Sequence, residues 1–138
     1  MFNPKKGFTI VLVLVITAAM GLSATLLFYM SRTDMQIAGN IHRHNLAKIT
    51  AASGLNHFTA LRMNYNQLRE QVGEQEMMQV IPATQLGEKT FYEVKVLFCC
   101  GLSDGEYMVE STGYYKKGEK IISSHPIKAL FRGVVLDP

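Results

Sequence analysis

Residues 8–30 read FTIVLVLVITAAMGLSATLLFYM and contain no Asp, Glu, Lys, Arg, His or Pro. At about 1.5 Å per helical residue this stretch is roughly 35 Å long, enough to cross a bilayer core of about 30 Å. Because a backbone in lipid must satisfy its own hydrogen bonds, the stretch is predicted to be helical. A buried helix of a soluble protein is the alternative, but the rest of this short chain could hardly cover the stretch on all sides.

The residues in front of the apolar stretch indicate what kind of membrane segment it is. They read MFNPKKG, with Lys5 and Lys6 just before Gly7. Two lysines on the short flank favour a cytoplasmic N-terminus. An ordinary secretory signal has a shorter apolar core that is followed by its cleavage site. Here a cut at Gly7 would remove residues 1–7 and leave the membrane helix, residues 8–30, on the product.

Residues 5–10, KKGFTI, resemble the class III signal of the type IV pilin-like family, a basic leader that ends in Gly and is followed by Phe-Thr-Leu/Ile. The resemblance implies cleavage between Gly7 and Phe8 by prepilin peptidase and N-methylation of the new amine of Phe8. It also implies a single-pass protein of the bacterial inner membrane, with a cytoplasmic N-terminus and a periplasmic C-terminal domain. Such a subunit then joins a filament.

Leu12 departs from the family pattern, which usually has Glu at this fifth mature position. A carboxylate inside lipid costs about 2.5–3.5 kcal/mol, and such residues are normally functional. In pilin filaments this Glu is thought to neutralise the terminal amine of a neighbouring subunit. A subunit without it suits the filament tip, so the resemblance narrows to minor pilins of the PilX N-terminal type and to the tip pseudopilin of type II secretion, general secretion pathway protein K. A plain signal anchor, or replacement of Glu in an ordinary minor subunit, stays open.

Gly21 falls where pilins often carry a glycine that loosens the helix during assembly. Tyr29 occupies the place of the proline that usually follows. We therefore favour a glycine that is tolerated because neighbouring helices pack closely, and we expect a nearly continuous helix.

Residues 31–73 are predicted to continue the same helix into water. Small and apolar residues recur there in steps of three and four: Ala47, Ala51, Gly54, Phe58, Leu61, Tyr65, Leu68 and Val72. This spacing predicts one face of an amphipathic helix that ends at Gly73. Residues 51–55, AASGL, resemble the Ala-Glu-Ala-Gly-Leu stretch of PilX-type and K-type subunits, without its acid.

Residues 74–138 are predicted to form an αβ-loop and an antiparallel sheet. The loop is predicted over residues 74–89, where Pro82 and Gly87 interrupt the periodic pattern. Alternating patterns predict strands over 91–98, 106–115 and 120–132, with residues 133–136 as a candidate fourth. Pro126 places the last of the three at an edge or a bulge. A sheet this small needs the helix as its second layer, so the fold class is α+β, the pilin fold of a long N-terminal helix on three to four strands.

Few residues suggest chemistry. On a strand the side chains of Cys99 and Cys100 would point to opposite faces, so a bond between them would be strained. A buried thiol beside a turn thiol, a strained vicinal disulfide and an intersubunit disulfide in the periplasm all stay open. The four histidines form no metal or catalytic spacing and are predicted to lie on solvated surface: His42, His44, His57 and His125.

The remaining features narrow the class of function. From Ser31 onward the chain has 12 Lys+Arg and 11 Asp+Glu, a balance that does not indicate nonspecific nucleic-acid binding. No nucleophile elbow, phosphate-cradling loop or carboxylate pair is present, so we expect no enzymatic activity, cofactor or metal. The expected function is that of a minor pilin, with other minor pilins, the major pilin, prepilin peptidase and the inner-membrane assembly platform as partners. The alternatives are a pseudopilin of type II secretion and a bitopic membrane protein that does not polymerise.

Overall fold

The computed structural model describes residues 4–73, 75–98, 102–103 and 105–133, with side chains from residue 8 onward. Its helices and strands, in chain order, are α1 (Pro4–Ala60), α2 (Tyr65–Val72), β1 (Met77–Gly87), β2 (Thr90–Leu97), β3 (Glu106–Lys117) and β4 (Lys120–Arg132). The chain divides into two compact units, which we call the N-terminal unit (Met1–Asn40) and the sheet unit (Ile41–Pro138).

The N-terminal unit is helical throughout its described residues. Neither Gly21 nor Gly39 interrupts α1, so the prediction of a nearly continuous helix is confirmed. Every residue from 8 to 38 is exposed within the chain. This helix is long and apolar enough to cross a membrane.

The sheet unit packs the C-terminal part of α1 against four antiparallel strands in the order β1-β2-β3-β4. On β2 and β3 the side chains alternate between buried and partly exposed, and the buried ones face the helices. A long N-terminal helix on a small antiparallel sheet is the α+β arrangement that the sequence predicted.

Small residues let the helix approach the sheet closely. Ala47 and Ala51 are fully buried on the sheet-facing side of α1. A side chain added at Gly113 of β3 would collide with the backbone of these two alanines. The Ser111 hydroxyl donates a 2.7 Å hydrogen bond to the Ala51 carbonyl oxygen, which joins sheet and helix in the buried layer. A side chain added at Gly54 of α1 would likewise collide with the Ser111 and Tyr92 side chains.

The hydrophobic core lies between the helices and the inner face of the sheet. It consists of Phe58, Leu68, Ile81, Tyr92, Val94, Val96, Tyr107 and Val109. The rings of Phe58, Tyr107 and Phe131 contact one another at centroid distances of 5.7–6.4 Å. Burial raises the pKa of the Tyr107 phenol.

The predicted single helix through residue 72 is wrong, because α1 ends at Ala60. Arg62 adopts a left-handed φ of 48°, and α2 begins after Asn64, whose backbone N–H donates to the Gln67 side chain at 3.3 Å. Leu61 is exposed, whereas Leu68 and Val72 are buried. The turn thus carries the second half of the apolar stripe back onto the core. The predicted end at Gly73 is confirmed, with φ +59° at this glycine.

The predicted loop over 74–89 is also wrong, because β1 occupies Met77–Gly87. Its pairing with β2 shifts register on both sides of Ile81, next to Pro82, and an edge strand tolerates such a proline. The other three strands are confirmed, and Pro126 lies on an edge strand as predicted. The fourth strand is therefore β1, at the start of the sheet. Gly133 follows the end of β4, and residues 134–136 lie outside the described residues.

Candidate functional site

The residues predicted for processing lie at the start of α1. Lys5, Lys6 and Gly7 belong to its first turns, and Phe8 is 71% exposed. Leu12 lies one turn further along and is also exposed. The structure therefore places these five residues on one short helical segment, with the Gly7–Phe8 bond inside α1.

Three hydroxyl groups inside the apolar stretch bond to carbonyl oxygens of the helix itself. Thr17 donates to the Val13 carbonyl oxygen at 3.0 Å. Ser23 donates to the Ala19 carbonyl oxygen at 2.9 Å. Thr25 behaves likewise toward the Gly21 carbonyl oxygen, at 3.0 Å. These hydroxyls need no water, so they are compatible with an apolar surrounding.

Gly21 has open space around the position of an added side chain. Nothing in the N-terminal unit by itself requires a glycine at this position. This open space is compatible with a second helix that approaches closely.

Residues 8–30 present an extended apolar surface that no other part of the described chain covers. It runs around the whole helix and is formed by Val, Leu, Ile, Met and Phe side chains. Soluble monomers rarely expose contiguous apolar patches above a few hundred Å². Such a surface is compatible with lipid or with other apolar helices around it.

A second apolar surface crosses the outer face of the sheet, opposite the helices. Met77 pairs with Leu97, Leu97 with Met108, and Met108 with Leu130, so one side chain from each strand lines up. Met77 and Leu130 are exposed, and we call these four residues the outer apolar row. The Glu110–Lys128 ion pair, at 3.1 Å, borders it on one side. An apolar row with charged borders is typical of a protein contact surface.

A polar cluster occupies the middle of the same outer face. Glu93 accepts hydrogen bonds from Tyr114 and from Gln79 and forms an ion pair with Lys95 at 3.1 Å. Burial raises the pKa of the Glu93 carboxyl, but the hydrogen bonds from Tyr114 and Lys95 and the charges of Lys95 and Lys116 outweigh it, so the net pKa is lowered. Burial and the hydrogen bond to Glu93 together raise the pKa of Tyr114 to about 12.

A basic cavity of about 390 Å³ lies at one end of the sheet unit. Its lining residues are Arg43, Lys89, Tyr115, Lys117 and Ile122. They come from α1, from the turn between β1 and β2, and from both strands of the β3–β4 hairpin. We call this the Arg43 pocket.

The histidines make contacts that the prediction of plain solvated surface omitted. The Nδ1 atom of His57 lies 2.7 Å from the Tyr92 hydroxyl, which gives the polar tip of this buried tyrosine a partner. The rings of His44 and His125 meet edge to face at a centroid distance of 4.9 Å. The three histidines of α1, His42, His44 and His57, are exposed as expected, and His125 on β4 is half-buried.

Cys99 and Cys100 lie outside the described residues, so their predicted alternatives stay predictions. Within the described part of the chain, no group of three or more His, Cys, Asp or Glu side chains could hold a metal ion.

The outer apolar row and the Arg43 pocket were not recognised from the sequence. Each combines residues far apart in the chain, and each depends on strand register. A plain two-residue turn at Gly118-Glu119 pairs Lys117 with Lys120 and would align Met108 with Ala129. The register shift between Tyr115 and Lys116 moves this partner to Leu130. Because β1 was not predicted, neither Met77 of the outer apolar row nor the β1–β2 turn that carries Lys89 could be placed.

In comparisons with known proteins, no family model, no curated protein and no solved structure matches the chain.

Proposed function

We propose that this protein is a minor pilin, a structural subunit at or near the tip of a bacterial type IV pilus that primes or supports filament assembly. One observation carries the proposal. A basic leader ending in Gly7 directly precedes an uncharged helix, residues 8–30, which the chain leaves exposed on every side. The α+β sheet unit that follows fits the fold expected of such a subunit.

The mechanism is mechanical rather than chemical. The helix of residues 8–30 holds the subunit in the inner membrane and then joins the helical bundle of the filament core. Both surroundings are apolar, and both suit a helix whose Thr17, Ser23 and Thr25 hydroxyls bond its own carbonyl oxygens. The sheet unit lies outside that bundle, and the outer apolar row contacts a neighbouring minor subunit.

Leu12 supports a place at the tip. A subunit enters the filament from below, and the carboxylate at its fifth mature position meets the amine of the subunit above. A chain with Leu12 has no such carboxylate to offer, and only the first subunit has no amine above it. We expect a single copy at the tip, bound from below by a minor subunit that carries the Glu.

Intact-mass measurement of the membrane-extracted protein from its native host tests the proposal. The expected chain begins at methylated Phe8, having lost residues 1–7. Gly7→Leu should block cleavage, and Lys6→Arg, which keeps the charge, should leave it unchanged. A native protein that still begins at Met1 would contradict the pilin assignment.

Placement has its own measurement, quantitative mass spectrometry of sheared filaments with antibody labelling of their ends. One copy per filament at one end is the expected result, and Leu12→Glu should improve assembly little. Many copies spread along the shaft would contradict the tip position but not the pilin assignment.

Two other functions share parts of these observations. A tip pseudopilin of a type II secretion system would also lack the Glu at Leu12, and copurifying subunits would identify the system. A bitopic membrane protein with a periplasmic binding or scaffold domain would expose the same helix but keep residues 1–7. Leader processing therefore separates the last alternative from the first two.

A further inference from the structure

Three cationic side chains converge on one cavity of the sheet unit. Arg43, Lys89 and Lys117 line the Arg43 pocket together with Tyr115 and Ile122, and none of these five lining residues is acidic. The nearby turns contain Glu88 and Glu119, but neither belongs to the lining. The pocket is therefore a concentrated site of positive charge in a unit that is nearly neutral as a whole.

The backbone holds these side chains together. The turns β1–β2 and β3–β4 lie at the same end of the sheet, because alternate turns of an antiparallel meander share an end. The Lys116 backbone N–H donates a 2.8 Å hydrogen bond to the Lys89 carbonyl oxygen, which fixes one turn against the other strand. Gly118, at φ +63°, gives the β3–β4 turn the conformation that favours glycine. The cations are thus brought together by regular sheet structure.

Three carboxylates of the sheet unit form ion pairs with lysines or arginines that do not line the pocket. Three ion pairs join Lys95 to Glu93, Lys128 to Glu110 and Arg132 to Glu106. All three lie on the outer face of the sheet or toward its opposite end. None of these three pairs uses Lys89 or Lys117.

We propose that the Arg43 pocket binds a phosphate group. A guanidinium offers a planar fork of donors that matches phosphate oxygens, a lysine ammonium adds a point charge, and a tyrosine hydroxyl can donate as well. Ligand pockets range from about 300 to 1,000 Å³, so this cavity suits a small group rather than a large cofactor. The inference does not depend on leader processing, and it goes beyond the assignment as a pilin.

The phosphate has two sources that share this chemistry, the headgroup of an anionic phospholipid and a free phosphate-bearing solute. Ile122 forms one wall of the pocket, and Ile121 beside it is also exposed. Exposed apolar side chains next to a basic site are typical of surfaces that meet lipid headgroups. The experiment therefore carries one arm for each source.

The full-length chain in micelles of a zwitterionic detergent is titrated with sodium phosphate at constant ionic strength. A second titration adds phosphatidylglycerol to the micelles, with phosphatidylcholine as its control. Amide chemical shifts of Lys89, Tyr115 and Lys117 are the readout. Saturable shifts at these residues support the proposal, and whichever titration produces them identifies the source. Absence of saturable shifts in both titrations would overturn it.

Matched double variants separate a built pocket from general charge attraction. Lys89→Gln with Lys117→Gln removes two pocket charges, and Lys48→Gln with Lys128→Gln removes two charges elsewhere on the unit. We expect about tenfold or greater weakening of binding for the pocket pair and less than about twofold for the control pair, since charge-assisted hydrogen bonds are lost only in the first.

Equal weakening in the two double variants would overturn the proposal. Lys89→Arg with Lys117→Arg should retain binding, because it keeps both charges and both donors. Far-ultraviolet circular dichroism checks that each variant is folded. A short single-stranded oligonucleotide that bound more than about tenfold tighter than either phosphate source would mean nucleic-acid recognition instead, and would likewise overturn the assignment.

Discussion

Helix α1 belongs to both units of the chain, but the chain buries side chains of this helix only in the sheet unit. In the N-terminal unit the side chains of residues 8–30 are apolar all round, and the chain covers none of them. In the sheet unit the same helix has one buried face, built from small residues such as Ala47 and Ala51, and its remaining faces are exposed.

This difference shows which apolar surfaces the chain satisfies by folding. The sheet unit buries its apolar stripe internally, so its stability is a property of the chain. The N-terminal unit has an apolar surface that the chain itself does not cover and that is compatible with lipid. A residue of equal exposure should therefore respond differently to substitution in the two units.

The largest expected effect comes from placing a charge on each part of α1. Met20 is 68% exposed and Ile49 is 61% exposed, so exposure alone does not distinguish them. Met20→Arg should raise the apparent free energy of membrane insertion by about 3 kcal/mol, because an arginine at the centre of a spanning helix is costly. Ile49→Arg should change it little. An insertion reporter measures both, and equal effects would contradict the assignment of residues 8–30 as the spanning segment.

A smaller effect is expected from adding a methyl group at two glycines. Gly113→Ala should lower the free energy of unfolding by about 2–3 kcal/mol, because the new side chain meets the backbone of α1 rather than a side chain that can rotate away. Gly39→Ala is the matched change at a site with open space. It should be neutral or raise stability by up to about 1 kcal/mol, since alanine favours the helix.

Urea titrations in detergent, followed by circular dichroism, compare these two variants with the wild type. Loss of stability in Gly39→Ala that equalled the loss in Gly113→Ala would mean that both units pack internally. The comparison between the units would then fail.

The smallest expected effect is the pH dependence of the sheet unit. The pKa of Glu93 in the folded state lies below its ordinary value of 4.5. Ionised Glu93 therefore stabilises the folded state above that pH, and this stabilisation is lost as pH falls through the folded pKa. Because the partner Lys95 is one third exposed, solvent screening limits the contribution to about 1 kcal/mol or less. Glu93→Gln should flatten the curve of unfolding free energy against pH at and below 4.5.

Tyr114 gives the alkaline counterpart. Its folded pKa of about 12 exceeds the ordinary 10.0, so its contribution is complete below pH 10.0 and is lost as pH rises through about 12. Tyr114→Phe should remove that alkaline loss.

For Glu93→Gln, an unchanged dependence of the unfolding free energy on pH in the acid range would show that other carboxylates control it.

Much of the fold could be predicted from local pattern. The alternation over 91–98 and 106–115 placed Tyr92, Val94, Tyr107 and Val109 on the inner face, where they are buried. The pattern failed where tertiary contacts override it. The three-and-four spacing continued past Ala60 because α2 packs on the same core, so the sequence alone did not show the turn at Arg62.

β1 was missed for a related reason. Within it only Ile81 is buried, and Pro82 looks like a loop residue. An edge strand with register shifts needs neither strict alternation nor a complete set of backbone donors, so local pattern could not distinguish it from a loop.

The sequence by itself determined the parts that depend on neighbouring residues: the uncharged helix of residues 8–30, the two lysines before Gly7, and the alternating strands β2 and β3. Composition and spacing decide these features, because solvent and helix geometry act on them locally. Only the tertiary structure decided the outer apolar row and the Arg43 pocket. Strand register aligns the four residues of the outer apolar row, and the close approach of α1 to Gly113 brings Arg43 near the β3–β4 hairpin. Register and helix approach are both set by packing between residues far apart in the sequence.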